Sequence, residues 1–417
     1  MVAIATATHA ADAVVPVEEV SGYNWSGLYV GAGVGVGAVV HGLELEVLDT
    51  SLVEFNGLGG EGFFGELSIG YDYQVAPRWV IGAFADVRYG NIGPELNAAP
   101  LIDAELTNQY GFDVGGRVGY VLNPTTLGYA LAGYSWQHFE LDGNLFGEPF
   151  DFEEDRDGYV LGVGMETVIS GAWTLKTEYR YAYYGNDTVL SFPFIGDFEA
   201  DLNVEPSVHT FTVGANYRFG AEDGGPALET PAYSWTGFYI GGALGAGAVV
   251  HDIGLFGGAA DFDGIGGEGV FGELNVGYDH DFGSFVAGVM VDGRLSGIES
   301  RLEFGGTEID AKADYGFDVL LRGGVKLSES TLAYVLGGYS WQNFEIEGNN
   351  GIGTLLEWDS SGFSVGGGLE AAVSDKITVG LEYRYSQYDS EDFDTGGLID
   401  VEPSFQTVRI GAKYKFN

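Results

Sequence analysis

The chain has 417 residues and a formal charge of −44, from 17 Lys and Arg against 61 Asp and Glu. That balance argues against a nucleic-acid partner, whose recognition needs a basic footprint, and 25 Tyr with 27 Phe argue against disorder. With no Cys, disulfides and Cys-ligated metals are excluded, which is consistent with passage through an oxidising compartment, where a thiol-free chain cannot mispair.

Hydrophobic residues make up 45% of the chain, yet no apolar run approaches the roughly 18–20 residues of a transmembrane helix. A closed β-barrel is the other way to span a bilayer, and its signal per strand is weak. In chain order, residues 1–22 read as a secretory signal remnant and N-terminal segment. Small residues at Ala3, Ala5, Ala10 and Ala11 suit a cleavage region, although the charged start is missing.

Residues 23–219 then read as a first eight-stranded unit. Its strands fall near 27–40, 61–73, 79–90, 110–122, 127–141, 158–169, 172–185 and 205–219. Short connections (74–78, 123–126, 170–172) alternate with long ones (41–60, 91–109, 142–157, 186–204). Short periplasmic turns and longer external loops are the outer-membrane pattern. Residues 220–232, rich in Gly, Pro and acids, read as a periplasmic linker.

Residues 233–417 repeat the first unit. YNWSGLYVGAGVGVGAVVH at Tyr23 recurs as YSWTGFYIGGALGAGAVVH at Tyr233. FGELSIGYDY at Phe64 recurs at Phe271, YALAGYSWQHFEL at Tyr129 recurs at Tyr334, and EYRYAYY at Glu178 recurs at Glu382. VEPSVHTFTVGANYRF at Val204 recurs as VEPSFQTVRIGAKYKF at Val401. Length differences fall between the matched blocks, as loops vary in a duplicated unit.

Period-two alternation assigns the faces. In the last strand Val408, Ile410, Ala412, Tyr414 and Phe416 oppose Thr407, Arg409, Gly411, Lys413 and Lys415. An apolar face with aromatic ends against Gly and isolated charges predicts lipid outside and charges within. The expected inward charges are Glu66, Asp86, Arg88, Asp113, Arg117, Glu166, Glu178, Arg180 and Arg218. In the second unit they are Glu273, Asp292, Arg294, Asp318, Arg322, Glu370, Glu382 and Arg384, with Arg409 as an approximate counterpart of Arg218. An eight-stranded interior is just wide enough for side chains to fill, so these predict a plugged lumen of salt bridges in each unit.

The blocks WSGLYVGAGVG at Trp25 and WTGFYIGGALG at Trp235, with the closing VGANYRF and IGAKYKF, resemble the outer-membrane β-barrel family of alphaproteobacterial surface proteins. These are OmpA-type eight-stranded surface antigens and porin-family proteins of Gram-negative cells. ADAVV at Ala11 resembles the start of their mature chains. The resemblance covers each copy and implies an integral outer-membrane protein with external loops and periplasmic termini. Two departures stand out: this chain carries two units, and Asn417 follows the aromatic Phe416 at which the family tends to end.

A nucleophile–base set for catalysis is not evident: no H-x-x-x-H pair occurs, and an enzyme is not expected. Of six His, only His41 and His251 repeat, where the first strand of each unit meets its outer connection. The resemblance to haemin-binding relatives makes them haem candidates; the plainer reading is a polar residue at the interface. No cofactor or metal is assigned. Acidic stretches at 148–158 and 389–394 could hold divalent cations through carboxylate oxygens and bridge to lipopolysaccharide phosphates. The fold expected is all-β: a transmembrane antiparallel up-and-down barrel in two tandem eight-stranded units, with one sixteen-stranded barrel as the alternative. The first implies a structural surface protein displaying acidic loops. The second implies a cation-preferring porin, and a haemin or adhesion receptor is the third reading.

Overall fold

The computed structural model describes residues 22–48, 50–98, 101–195, 198–221, 224–255, 260–392 and 399–416. The segment expected to be a signal remnant lies outside them except for Gly22, and so does Asn417.

The chain forms β1 (Gly27–Val47), β2 (Ser51–Ala76), β3 (Trp79–Ile92), β4 (Glu95–Ala98), β5 (Ile102–Asn123), β6 (Thr126–Leu145), β7 (Glu148–Ser170), β8 (Trp173–Tyr183), β9 (Asp187–Ile195) and β10 (Phe198–Arg218). The second series is β11 (Gly237–Leu255), β12 (Ala260–Asp281), β13 (Phe285–Phe304), β14 (Thr307–Ser328), β15 (Thr331–Gly348), β16 (Gly353–Ala372), β17 (Ile377–Tyr388), β18 (Glu391–Asp392) and β19 (Ile399–Lys415). All pairings are antiparallel. β1 pairs with β2 on one side and β10 on the other, with Tyr29 opposite Arg218 and Val47 opposite Ala200. β11 likewise pairs with β12 and β19. The long strands therefore close as two rings, β1-β2-β3-β5-β6-β7-β8-β10 and β11-β12-β13-β14-β15-β16-β17-β19.

The connections expected as long loops are largely strand. β1 has 21 residues, β2 has 26 and β7 has 23, against the roughly 9–11 that cross a bilayer. The sequence reading placed loops at 41–60, 91–109, 142–157 and 186–204, whereas the hydrogen-bonded ladder continues into them. Its period-two signal is present in Glu44, Leu45, Glu46 and Val47. Hairpins then end in tight turns: Leu145 pairs with Glu148 around Phe146 and Gly147, both at positive φ (52° and 86°).

Outside each ring, Leu67, Ile69, Tyr71 and Tyr73 are exposed, and Glu66 and Asp72 on the opposite face of β2 are buried. Aromatic pairs mark both edges of this apolar band. Trp79 packs on Tyr120 at the short-turn end, and Phe112 stacks on Trp136 towards the other.

The two rings dock side by side, and equivalent residues of the repeats meet at the seam. Leu58 pairs with Ile265. Thr126 Oγ1 lies 2.7 Å from Thr331 Oγ1 at the short-turn end; each Thr precedes its repeated YALAGY or YVLGGY block by three residues. Glu268 accepts hydrogen bonds from Ser207 Oγ (2.6 Å) and His209 (2.8 Å) across the seam. Its counterpart Glu61 accepts from Ser404 (3.4 Å) and Gln406 (2.9 Å). Between these ties Met165, Phe211, Leu369, Leu381 and Val408 are buried together, and Phe211 stacks on Tyr383 at 5.0 Å. The seam is thus a pseudo-two-fold, isologous interface inside one chain. Beyond the bilayer it continues as sheet, with Val53–Asn56 paired to Arg301–Phe304 and Glu95–Asn97 to Asp261–Asp263.

Candidate functional site

Inward alternation puts glycines and charges in each lumen, because Gly leaves room for the long side chains of neighbouring strands. In the first ring Arg180 is the hub. It lies 2.7 Å from Asp86, Asp113 and Glu178 and 3.8 Å from Glu66. Arg88 lies 2.9 Å from Asp113, Arg117 pairs with Asp72 and with Glu166 at 3.5 Å, and Arg218 reaches Glu166 (2.7 Å) and Asp72 (2.8 Å).

The second ring reproduces the pattern. Arg384 lies 2.8 Å from Asp292 and Asp318, 2.6 Å from Glu382 and 3.6 Å from Glu273. Arg294 lies 3.0 Å from Asp318, Arg322 lies 2.8 Å from Glu370, and Arg409 lies 2.5 Å from Glu273. Every residue expected in the inward network lies in one of these two clusters, nearly or wholly shielded from solvent.

The expected network left out five members, although Lys413 and Lys415 fall on the face of the last strand that alternation turns inward. Asp72 and Asp279 pair with Arg117 and Arg322, and each shares the alternation phase of Glu66 or Glu273 inside a repeated block, a signal that was available. Lys176 lies 2.6 Å from Glu66, Lys413 2.8 Å from Glu370 and Lys415 3.8 Å from Asp279. One equivalence also needs correction. The aligned closing blocks place Lys415, not Arg409, opposite Arg218, and Thr212 opposite Arg409. Accordingly Arg218 and Lys415 each bond a mouth carbonyl, that of Trp25 or Trp235, whereas Arg409 sits deeper, on Glu273.

Aromatic side chains cover both ends of each lumen. Trp25 and Trp235, 0% and 1% exposed, each pack edge-on against a Tyr two residues earlier, at 4.9 Å. Towards the other end Phe139 packs on Tyr184 and His41, and Phe344 on Tyr388 and His251. A cavity among Glu273, Glu382, Arg409 and Lys413 holds about 30 Å³, and one beside Arg88 and Gln137 about 10 Å³.

His41 and His251 therefore lie in separate lumens, 2% and 8% exposed and packed against Phe rings. Both nitrogens of His41 lack a hydrogen-bond partner. A haem ligand needs a face-sized space at its nitrogen, and these residues do not fit that group.

The lumens take up five and six basic residues, eleven of the chain's 17 Lys and Arg, against six acids each. Almost all the net charge of −44 is thus carried elsewhere. On the strand extensions Glu54 lies opposite Glu303 across the seam. Partial burial, then Glu44, Glu303 and Glu205, push its pKa above the usual carboxylate value. Burial and the neighbours Glu402, Asp261 and Asp400 do the same to Asp252. In the expected acidic stretch at 148–158, now strand, oxygens of Asp151 and Glu153 lie within 4.8 Å of one another and of Glu140. In the other stretch, residues 393 and 394 lie outside the described residues.

Two closed antiparallel rings with lipid-facing apolar bands and charged interiors define an integral outer-membrane β-barrel protein. The chain belongs to the family described as "Outer membrane protein beta-barrel domain", which matches residues 2–219 and again 224–416. Its relatives include the 22 kDa outer membrane protein of Rhizobium leguminosarum bv. viciae, 34% identical over 197 residues (45% of this chain, 80% of the relative). The 31 kDa outer-membrane immunogenic protein of Brucella melitensis is 27% identical over 232 residues (52% and 95%). Among solved structures, the attachment invasion locus protein Ail of Yersinia pestis matches 46% of this chain and 99% of its own, with TM-score 0.24 and 16% identity. The toluene transporter TodX of P. putida matches 94% and 90%, with TM-score 0.28 and 12% identity.

Proposed function

We propose that this outer-membrane protein is a non-conducting surface protein: two plugged barrels that carry a tall, acidic, extracellular wall of strand. What supports the reading most is the lumen filling. Each interior is occupied by paired charges and capped by aromatics, and two cavities beside the lumen ion pairs hold only about 30 and 10 Å³. Closure of each unit by its own first and last strand supports two narrow barrels over one wide channel, since eight strands leave room only for side chains. The reading gives the chain no catalytic step and no cofactor.

The same bookkeeping of charge directs the exterior role. With most cations used inside, the extended strands present carboxylates that divalent cations can bridge to lipopolysaccharide phosphates. The deciding experiment is planar-bilayer conductance of the refolded full chain. Silence or rare small flickers are expected; large, stable, cation-selective steps would overturn the plugged reading. Calcium binding followed by calorimetry, with and without lipopolysaccharide, tests the bridging role; equal heats with and without it would remove that partner.

A further inference from the structure

Two crevices flank the seam, related by its pseudo-two-fold. One runs between β6–β8 and β11–β12, holds about 880 Å³ and includes Glu54, His209, Glu268, Glu299 and Arg301 among its walls. The other runs between β1–β2 and β14–β17, holds about 1210 Å³ and has no charged side chain on its walls. That volume exceeds the roughly 300–1,000 Å³ of ordinary ligand pockets. Its walls run from Phe285 and Val325 near the short-turn end to Tyr89 towards the outer aromatic band.

The larger crevice is cut back by residue choice. Gly323 and Gly367 stand where the first repeat has Val118 and Val163, at positions whose strand neighbours face lipid. A third outward glycine, Gly65, also lines it, and a Cβ at Gly65 or Gly323 would meet nothing within 4 Å. Glycine inside a strand gives up packing, and it often marks a place where a ligand approaches closely. Water is a poor occupant, because an ordered water needs two to four polar partners; the one unpartnered buried side-chain oxygen here is that of Thr177. An empty apolar slot would forfeit dispersion contacts along its whole length.

We propose that this crevice is a binding site for the acyl chain of a membrane phospholipid, which enters sideways from the bilayer and fills the gap between the two barrels. The fit is to hydrocarbon: both walls are apolar, the slot lies within the apolar band, and it reaches the short-turn, phospholipid-facing end.

The test is native mass spectrometry of the full chain released from nanodiscs of phosphatidylglycerol and phosphatidylcholine into mild non-ionic detergent. About one retained phospholipid per chain is expected for the wild type, and roughly tenfold less in the double variant Gly65→Leu, Gly323→Leu, which fills the slot. Gly272→Leu is the control: Gly272 is the counterpart of Gly65 in the second repeat, its Cβ position is also open, and retention should not change. Heat-modifiable gel migration verifies folding of each variant. No retained lipid on the wild type, equal retention in the filled variant, or equal loss in Gly272→Leu would overturn the proposal. Preferential retention of lipopolysaccharide when both are offered would overturn the phospholipid assignment.

Discussion

Gly59 and Gly266, equivalent residues of the two repeats, face each other across the seam so closely that a Cβ on Gly59 would fall 2.5 Å from the Gly266 Cα. The obstacle is backbone on both sides, so no rotamer change relieves it. Valine at both positions should separate the barrels at their outer end while leaving each ring closed. The natural absence of Cys makes the readout clean: Cys at Leu58 and Ile265, which pair across the seam beside these glycines, should cross-link efficiently. In the Gly59→Val, Gly266→Val background the yield should drop about tenfold, given the cost of overpacking. Undiminished cross-linking would show that these glycines do not set the approach.

Arg180 and Arg384 each hold the same four carboxylates in their own lumen. Removing one partner of a buried ion pair costs about 3–5 kcal/mol, because the remaining charge is left uncompensated. Arg180→Met should therefore destabilise the protein by about that amount in urea titrations in vesicles, and Arg384→Met by a similar amount. A loss below about 1 kcal/mol, the range of exposed pairs, would mean that water already solvates these acids.

Much of this fold was legible, and the particular residues explain why. Val408 to Phe416 alternate with Thr407 to Lys415, and that phase alone separates lipid from lumen. Strand extension was underread because acid-rich stretches such as 148–157 interrupt the apolar face and read as loop. The seam was not legible. Phe211 and Val408 look like lipid-facing residues by phase, and only docking buries them to 6% and 5% exposure. Nor did spacing show that Lys176 and Lys413 occupy unlike strands: their counterparts are Gly380 and Asn216. A shifted cation is invisible when the two copies are assumed to match position by position.

The facing pair Glu54 and Glu303 makes the outer seam sensitive to pH. The folded-state pKa of Glu54 is raised by burial and by neighbouring acids, so the folded protein binds its proton more readily than the unfolded chain. Stability from this group is therefore gained as pH falls through the raised folded value, and lost as pH rises through it. Hydrogen exchange of Val53–Asn56 should slow as pH is lowered from 8 towards about 5, after correction for intrinsic exchange. Glu54→Gln should flatten the profile; an unchanged slope would place the titration elsewhere.

His41 offers a test that separates packing from ligation. Its ring is buried against Phe139, and neither nitrogen has a partner. An unsatisfied buried polar group costs about 1–3 kcal/mol, whereas an apolar replacement of similar shape removes that cost. His41→Phe should therefore be neutral or stabilising by up to about 2 kcal/mol in urea titrations. The His41→Phe, His251→Phe double variant should leave any absorbance change on haem addition as it is in the wild type. If wild type binds haem with a defined Soret shift and the double variant does not, the histidines are ligands and the lumen opens to admit the group. If stability instead falls by more than about 1 kcal/mol with no haem effect, the ring nitrogens are hydrogen-bonded in the membrane-embedded protein.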